Sequence, residues 1–323
     1  MDHYIVKVTD ARHEQYEIEK EILKRIGAEV VVCHCSSEED MIDQCADADA
    51  LLLDMAPATG KVIERLEKCK VISRYGVGYD NLDVDACTKK GIWACNVPDY
   101  CAEDVSDHAI ALLFTCLRQT ALRDRLIRQG EWNIPGRSFR LAGKTVGVLG
   151  CGQIGRALIR KLAGFGLKEV LVYDPYLPEE VITALGARRC SFEEVLQQSD
   201  ILSLHMPVTP STAGMINADA VAQKKPTAIL INTSRGGLIQ EEALLDALEK
   251  GTILSAGLDT HCREPLPKDS PFFRLPNVVL TDHTAFCTEE GVRELKEKAA
   301  ANIARVLSGN PPFYPINCLE KSF

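Results

Sequence analysis

The stretch Val146-Gly147-Val148-Leu149-Gly150-Cys151-Gly152-Gln153-Ile154-Gly155, followed by Val170-Leu171-Val172-Tyr173-Asp174, limits the folds open to this chain more than any other feature. An apolar run, a glycine turn, a helix start and a second apolar run read as strand, turn, helix and parallel strand. Each glycine has its own reason to be there. Gly150 permits the tight turn out of the strand, Gly152 lets the main chain approach an anion, and Gly155 lets the helix pack closely on the sheet. The helix that opens with Gln153 and Ile154 then offers free N–H groups to a pyrophosphate. Asp174 ends the second strand about 20 residues further on, where a carboxylate accepts hydrogen bonds from ribose hydroxyls and repels a 2′-phosphate. The spacing predicts a bound dinucleotide, NAD in preference to NADP.

With 323 residues, 46% hydrophobic and 26% charged, the chain has the length for two domains and the composition of an ordinary globular protein. Met1-Asp2-His3-Tyr4-Ile5-Val6 starts directly as a strand, and no apolar run approaches the roughly 18 residues that span a bilayer, so a cytoplasmic protein without a membrane segment is expected. A net charge of -9 speaks against nucleic-acid binding, which clustered Lys and Arg drive, and an anionic substrate would need a local positive clamp. The 13 cysteines are odd in number, scattered and without a Cys-x-x-Cys pair, which suggests free thiols in a reducing compartment. Cys33-His34-Cys35 is the nearest approach to a metal-ligand cluster, but it reads as the end of a buried strand with no second ligand pair, and no metal is expected.

Strand and helix patterns alternate through the first hundred residues: Tyr4 to Val8, a helix from Tyr16 to Ile26, Glu29 to Cys33, a helix from Glu38 to Cys45, Ala50 to Asp54, a helix from Val62 to Leu66, Val71 to Ser73, a helix from Val84 to Lys89, and Ile92 to Cys95. Such a series predicts a parallel sheet with helices on both faces. One long helix is expected from Asp104 to Gln129, apolar on several faces, stopped by Gly130 and buried between partners. A second series follows, with strands from Thr145 to Leu149, Glu169 to Tyr173, Ile201 to His205, Thr227 to Asn232, Ile253 to Asp259 and Val278 to His283. The amphipathic helix from Glu289 to Leu307, closed by Gly309, has no new sheet to join and should return to the first domain.

In an open α/β sheet, ligands bind beyond the carboxyl ends of the strands, which makes Asp174, His205, Asn232-Thr233-Ser234-Arg235, Asp259 and His283 candidates from position alone. Reducing a carbonyl with a nicotinamide needs a proton donor at the developing alkoxide and a positive group for an anionic substrate. His283 and Arg235 suit those two roles. A donor histidine needs an acidic neighbour, and sequence spacing leaves both Glu264 and Asp282 open. His3, His13 and His34 fall in or beside ordinary first-domain elements, and His108 sits on the long helix.

Through Arg74-Tyr75-Gly76-Val77-Gly78-Tyr79-Asp80-Asn81, Asn96-Val97-Pro98-Asp99, the glycine turn, His205-Met206-Pro207, Asn232-Thr233-Ser234-Arg235-Gly236, Gly257-Leu258-Asp259, Glu264-Pro265 and Asp282-His283-Thr284-Ala285, the chain resembles the NAD-dependent D-2-hydroxyacid dehydrogenases over nearly its whole length. The resemblance implies a Rossmann-type NAD-binding domain (104–285) inserted into a flavodoxin-like, parallel-sheet substrate domain (1–103 and 286–323). It also implies a homodimer through the 104–129 region. Within that pattern Arg235 holds the substrate carboxylate and polarises the carbonyl, Glu264 pairs with the histidine, and His283 is the acid/base. The amides of Gly76, Val77 and Gly78, with Arg74 beside them, meet the substrate. Gly150, Gly152, Gln153, Ile154, Gly155, Asp174, His205, Met206, Pro207, Thr233, Ser234, Arg235, Asp259, His283 and Ala285 surround the cofactor, Asp259 facing the nicotinamide carboxamide.

Two departures stand out: Asp282 replaces the usual proline before the histidine, and Asp259-Thr260-His261-Cys262 replaces the usual Asp-Val-Phe-Glu. The first adds a negative charge beside His283, and the second is expected to reshape the substrate pocket. The implied reaction is reversible reduction of a small 2-oxo acid to the (R)-2-hydroxy acid with NADH. 3-Phosphoglycerate, hydroxypyruvate, glyoxylate and larger 2-oxo acids remain as candidate substrate pairs. The competing readings on the same architecture are an NAD(H)-sensing interaction protein of the corepressor type, and a formate or phosphite dehydrogenase. The first is disfavoured by the full Arg235, Glu264 and His283 set.

Overall fold

Five apolar runs of the N-terminal region form the strands β1 (Tyr4–Val8), β2 (Ala28–Val32), β3 (Ala50–Leu53), β4 (Val71–Arg74) and β5 (Trp93–Cys95), all parallel, in the order β2-β1-β3-β4-β5. This is the flavodoxin-like order. The computed structural model describes residues 3–10 and 15–319, and His13 lies outside them. All four residues of β3 are buried, as a parallel strand covered on both faces requires. The helix Glu38–Cys45 starts with a capping box in which the Ser37 side chain accepts from Asp40 N–H and the Asp40 carboxylate accepts from Ser37 N–H. The helix Glu289–Leu307 returns to this sheet. Thr288 caps it, and it packs on the helix Glu17–Lys24 and on β3 and β4 through buried Leu295, Ala299 and Ile303.

The chain separates into two units, Met1–Cys101 with Thr288–Phe323, and Ala102–Cys287. The second unit holds seven parallel strands, β6 (Thr145–Leu149), β7 (Glu169–Tyr173), β8 (Arg188–Arg189), β9 (Ile201–Leu204), β10 (Ile229–Asn232), β11 (Ser255–Leu258) and β12 (Val278–Leu280). Their order is β12-β11-β10-β9-β6-β7-β8. The order reverses between β6 and β9, and a ligand crevice forms outside the carboxyl ends of strands at such a switch. The exposed two-residue strand β8 has no apolar pattern in the sequence to announce it.

The expected single helix from Asp104 to Gln129 is two helices, Ala102–Arg118 and Thr120–Arg128, because Gln119 adopts a left-handed φ of 57° that no helix can pass through. The first is the buried one, with Val105, Ala109, Leu112, Leu113, Cys116 and Leu117 in the core. The second buries no residue. Among the described residues no helix is long and apolar enough to cross a membrane.

Gly147 shows how tightly the central strand is covered. A Cβ there would lie 2.6 Å from Val195 Cγ1 and 2.9 Å from Ser199 Cβ, on and just beyond the helix Phe192–Gln198. Gly147→Ala is expected to destabilise the second unit by roughly 1–3 kcal/mol through overpacking, read as a lower midpoint in urea unfolding.

Candidate active site at the carboxyl edge of the second sheet

β6 ends at Leu149, level with Tyr173 of β7 and Leu204 of β9, so the glycine turn, Asp174 and His205 emerge together. Gly150 has φ +91°, and a Cβ there would sit 2.7 Å from the His205 carbonyl oxygen. A Cβ on Gly155 would lie 2.4 Å from the Gly150 oxygen. Those two glycines are demanded by packing. Gly152 is different: a Cβ there meets nothing within 4 Å, and the helix Gln153–Leu162 begins with no side-chain cap. The uncapped N–H groups of its first turn face open space, the arrangement that receives a pyrophosphate.

Asp174 is fixed over this turn. Its Oδ2 accepts from Cys151 N–H at 2.8 Å, and Oδ1 accepts from Tyr176 and Leu177 N–H at 3.0 and 3.2 Å. Burial of the His205 ring lowers its pKa to about 4, so the imidazole is neutral, with Nε2 2.8 Å from Ser203 Oγ. His205 Nδ1 and Thr233 Oγ1 are buried and have no partner among the described residues. An unpaired buried polar atom costs roughly 1–3 kcal/mol, so two of them at adjacent strand ends fit a site whose ligand brings polar groups. Ser234 Oγ donates to the Met206 carbonyl at 2.6 Å, which ties the two loops together, and the Pro207 carbonyl accepts from Thr212 Oγ1 at 2.6 Å.

On the other side of the switch the neighbouring strands β10, β11 and β12 carry Arg235, Glu264 and His283 beyond their ends. His283 Nδ1 is 2.7 Å from Glu264 Oε2. Burial pushes the Glu264 carboxyl up, but the hydrogen bonds from His283 and from His261 N–H outweigh it and hold the group below the usual carboxylate range. Glu264 is therefore the carboxylate on the histidine. Asp282 turns elsewhere and accepts from Thr284 Oγ1 at 3.0 Å. With Nδ1 committed to Glu264, His283 keeps Nε2 as the ring nitrogen able to hand over a proton, and Phe286 stands edge-on to the ring at 6.4 Å.

His283 has φ +58°, a conformation that a non-glycine residue holds only when its surroundings impose it. Asp259, fully buried, does so. Its Oδ1 accepts from Thr281 Oγ1 at 2.6 Å and Thr284 N–H at 3.0 Å, its Oδ2 accepts from Ala285 N–H at 3.0 Å, and its carbonyl accepts from His283 N–H at 2.8 Å. The Asp259 carboxylate thus holds the histidine turn. His108, on the helix Ala102–Arg118, belongs to the same network: its Nε2 lies 3.0 Å from Thr281 Oγ1 and 3.5 Å from Asp259 Oδ1. Thr281 spends its hydroxyl proton on Asp259, so His108 Nε2 donates to it. Only a polar residue amid the apolar face of Ala102–Arg118 could have signalled this.

Arg235 follows β10 in extended conformation, and its Nη1 donates to the Ser234 carbonyl at 2.8 Å. The Asn232 side chain closes the loop, donating to the Arg235 carbonyl at 2.9 Å and accepting from Ser234 N–H at 3.0 Å. Gly236 allows the loop to touch its neighbour. A Cβ there would be 2.0 Å from His261 C and 2.3 Å from Cys262 N, so the main chains of the Arg235 and Glu264 loops lie directly against each other.

In the first unit, Gly76 (φ +133°), Val77 and Gly78 form a turn after β4. The Gly76 and Val77 carbonyls point into the unit, where Gly76 O accepts from Val97 N–H at 3.0 Å and Val77 O from Asn96 Nδ2 at 2.7 Å. Among the described residues the three N–H groups of the turn have no acceptor, a nest suited to an anion. The Arg74 guanidinium donates to the Tyr75 carbonyl.

Residues 110–285 match the family model for the D-isomer specific 2-hydroxyacid dehydrogenase NAD-binding domain. A glyoxylate reductase of Korarchaeum cryptofilum is 37% identical over 282 residues, 85% of each chain. A D-3-phosphoglycerate dehydrogenase of Methanocaldococcus jannaschii is 38% identical over 307 residues, 94% of this chain but 57% of that one. The structure of D-lactate dehydrogenase from Aquifex aeolicus, complexed with NAD and lactic acid, superimposes with a TM-score of 0.84 at 26% identity, covering 94% of this chain and 96% of that one. Glycine cradle, orphaned polar atoms and histidine–glutamate pair thus occur together in a sequence of this descent, and the chain belongs to the NAD-dependent D-2-hydroxyacid dehydrogenases, oxidoreductases acting on CH–OH donors.

Proposed function

We propose that the protein reduces a small, unphosphorylated 2-oxo acid of the glyoxylate or hydroxypyruvate kind to the (R)-2-hydroxy acid, and that the His283–Glu264 pair beside the Arg235 loop carries the chemistry. The observation behind this reading is the 2.7 Å contact that leaves His283 Nε2 available for proton transfer. Bound NADH supplies the hydride to C2. Arg235 binds the carboxylate and draws charge onto the carbonyl oxygen, His283 protonates that oxygen, and Glu264 supports the imidazolium before the proton leaves. In the first unit the amides of Gly76, Val77 and Gly78 would suit an anion. Gly150, Gly152, Gln153, Ile154, Gly155 and Asp174 hold the pyrophosphate and ribose, and His205, Met206, Pro207, Thr233, Ser234 and Ala285 line the rest of the cofactor site.

The preference for glyoxylate or hydroxypyruvate is supported by the glyoxylate reductase match over 85% of both chains, with 3-phosphohydroxypyruvate as the alternative. NADH absorbance with glyoxylate, hydroxypyruvate and 3-phosphohydroxypyruvate is the test: a higher kcat/KM for the phosphorylated acid would reassign the substrate. No turnover of any 2-oxo acid would return the reading to NAD(H) sensing. We also infer a cytoplasmic homodimer whose contact includes Thr120–Arg128, a helix without buried residues that carries Ile127 (44% exposed) and is followed by Trp132 (77% exposed). Light scattering that gives a monomer at micromolar concentration would remove that inference.

Gly152→Ala places a methyl group where the pyrophosphate is expected and meets no protein atom, so NADH affinity should fall at least tenfold while the unfolding midpoint stays near wild type. NADH should be preferred to NADPH, and Asp174→Ala should narrow the preference, as ratios of kcat/KM will show. His283→Ala should lose on the order of 10²–10⁴ in kcat while still binding NADH. In Glu264→Gln the imidazolium loses its negative partner, so kcat for reduction should fall, as NADH oxidation will show. Asp282→Asn should have the smaller effect of the two.

A further inference from the structure

The departure at Asp259-Thr260-His261-Cys262 puts a histidine between the two members of the acid/base pair. Its main-chain N–H donates to Glu264 Oε1 at 2.9 Å, while Oε2 of the same carboxylate takes His283. Its ring Nε2 lies 2.9 Å from the Thr281 carbonyl oxygen. A carbonyl only accepts, so Nε2 carries the proton and donates. Thr281 directly follows β12, its N–H donates to the Leu258 carbonyl of β11 at 3.0 Å, and two residues later comes His283. The peptide after His261 lies directly against Gly236.

We propose that His261 is a positioning residue that sets the alignment of Glu264 and His283. Its backbone orients the carboxylate, and its imidazole ties the loop bearing that carboxylate to the strand end bearing the histidine. An apolar side chain of similar size would fill the space but leave the Thr281 carbonyl without this donor, and the two loops would be free to drift apart. Small misplacements of catalytic groups cost up to about 10²-fold in rate.

The inference rests on the proposed roles of Glu264 and His283, so His283→Ala is measured first; a wild-type rate there would dispose of the functional reading rather than of this one. With that control in place, His261→Phe should lower kcat by about 10- to 100-fold, with NADH affinity within about twofold of wild type. His261→Gln, whose amide can still donate to Thr281, should recover most of the rate. His261→Asn, too short to reach, should not, and it replaces the phenylalanine variant if that one fails to fold. In a Glu264→Gln background, removing the imidazole should cost less than threefold, because the alignment it protects is already lost. A wild-type kcat in both His261→Phe and His261→Asn, equal losses in the glutamine and asparagine variants, or a full multiplicative loss in the Glu264→Gln background would each overturn the assignment.

Discussion

The Asp259 carboxylate, wholly buried at the end of β11, is the interaction on which the site depends. A charged group in such a place is tolerated only with its hydrogen bonds filled, and Asp259 fills them from one short segment: the Thr281 hydroxyl and the N–H groups of Thr284 and Ala285. The segment cannot relax without exposing the carboxylate to an apolar surround. That constraint sustains the left-handed backbone of His283, which costs on the order of 1–3 kcal/mol, and aims its ring at Glu264. His108 closes the network from the helix behind.

The second constraint is close contact of main chains. At Gly150, Gly155 and Gly236 a single methyl group would strike the backbone of another segment at 2.7 Å or less, so each marks a place where two loops or a loop and a helix touch without side chains between them. Gly152 has open space instead, which suits a ligand. Together they bring the cofactor cradle and the Arg235 and Glu264 loops to the same edge of the sheet.

Much of this was legible in the sequence where the signal is local. The glycine run between two apolar stretches reports a strand–turn–helix unit through backbone sterics alone, and the alternating strands and helices reported both parallel sheets. Other features left no local trace. Gln119 is a polar residue in an otherwise helical pattern, yet its left-handed φ divides one expected helix into two, and the second is left uncovered. The two arginines of β8 pair with β7 only because the sheet edge offers them partners.

The sequence by itself determined the fold class, the strand–glycine turn–helix unit and the residues that end the strands, because φ/ψ limits, hydrophobic period and strand-end geometry act over a few neighbours. Tertiary structure decided what those residues do to one another. Asp282 is adjacent to His283 and Glu264 is not, yet Glu264 holds the imidazole, since consecutive residues diverge while the loop from β11 is pressed across by Gly236. Asp259, His108 and His261 acquire their parts in the same way. A hydrogen bond needs its atoms within about 3 Å, and only the packed sheet brings together groups so far apart along the chain.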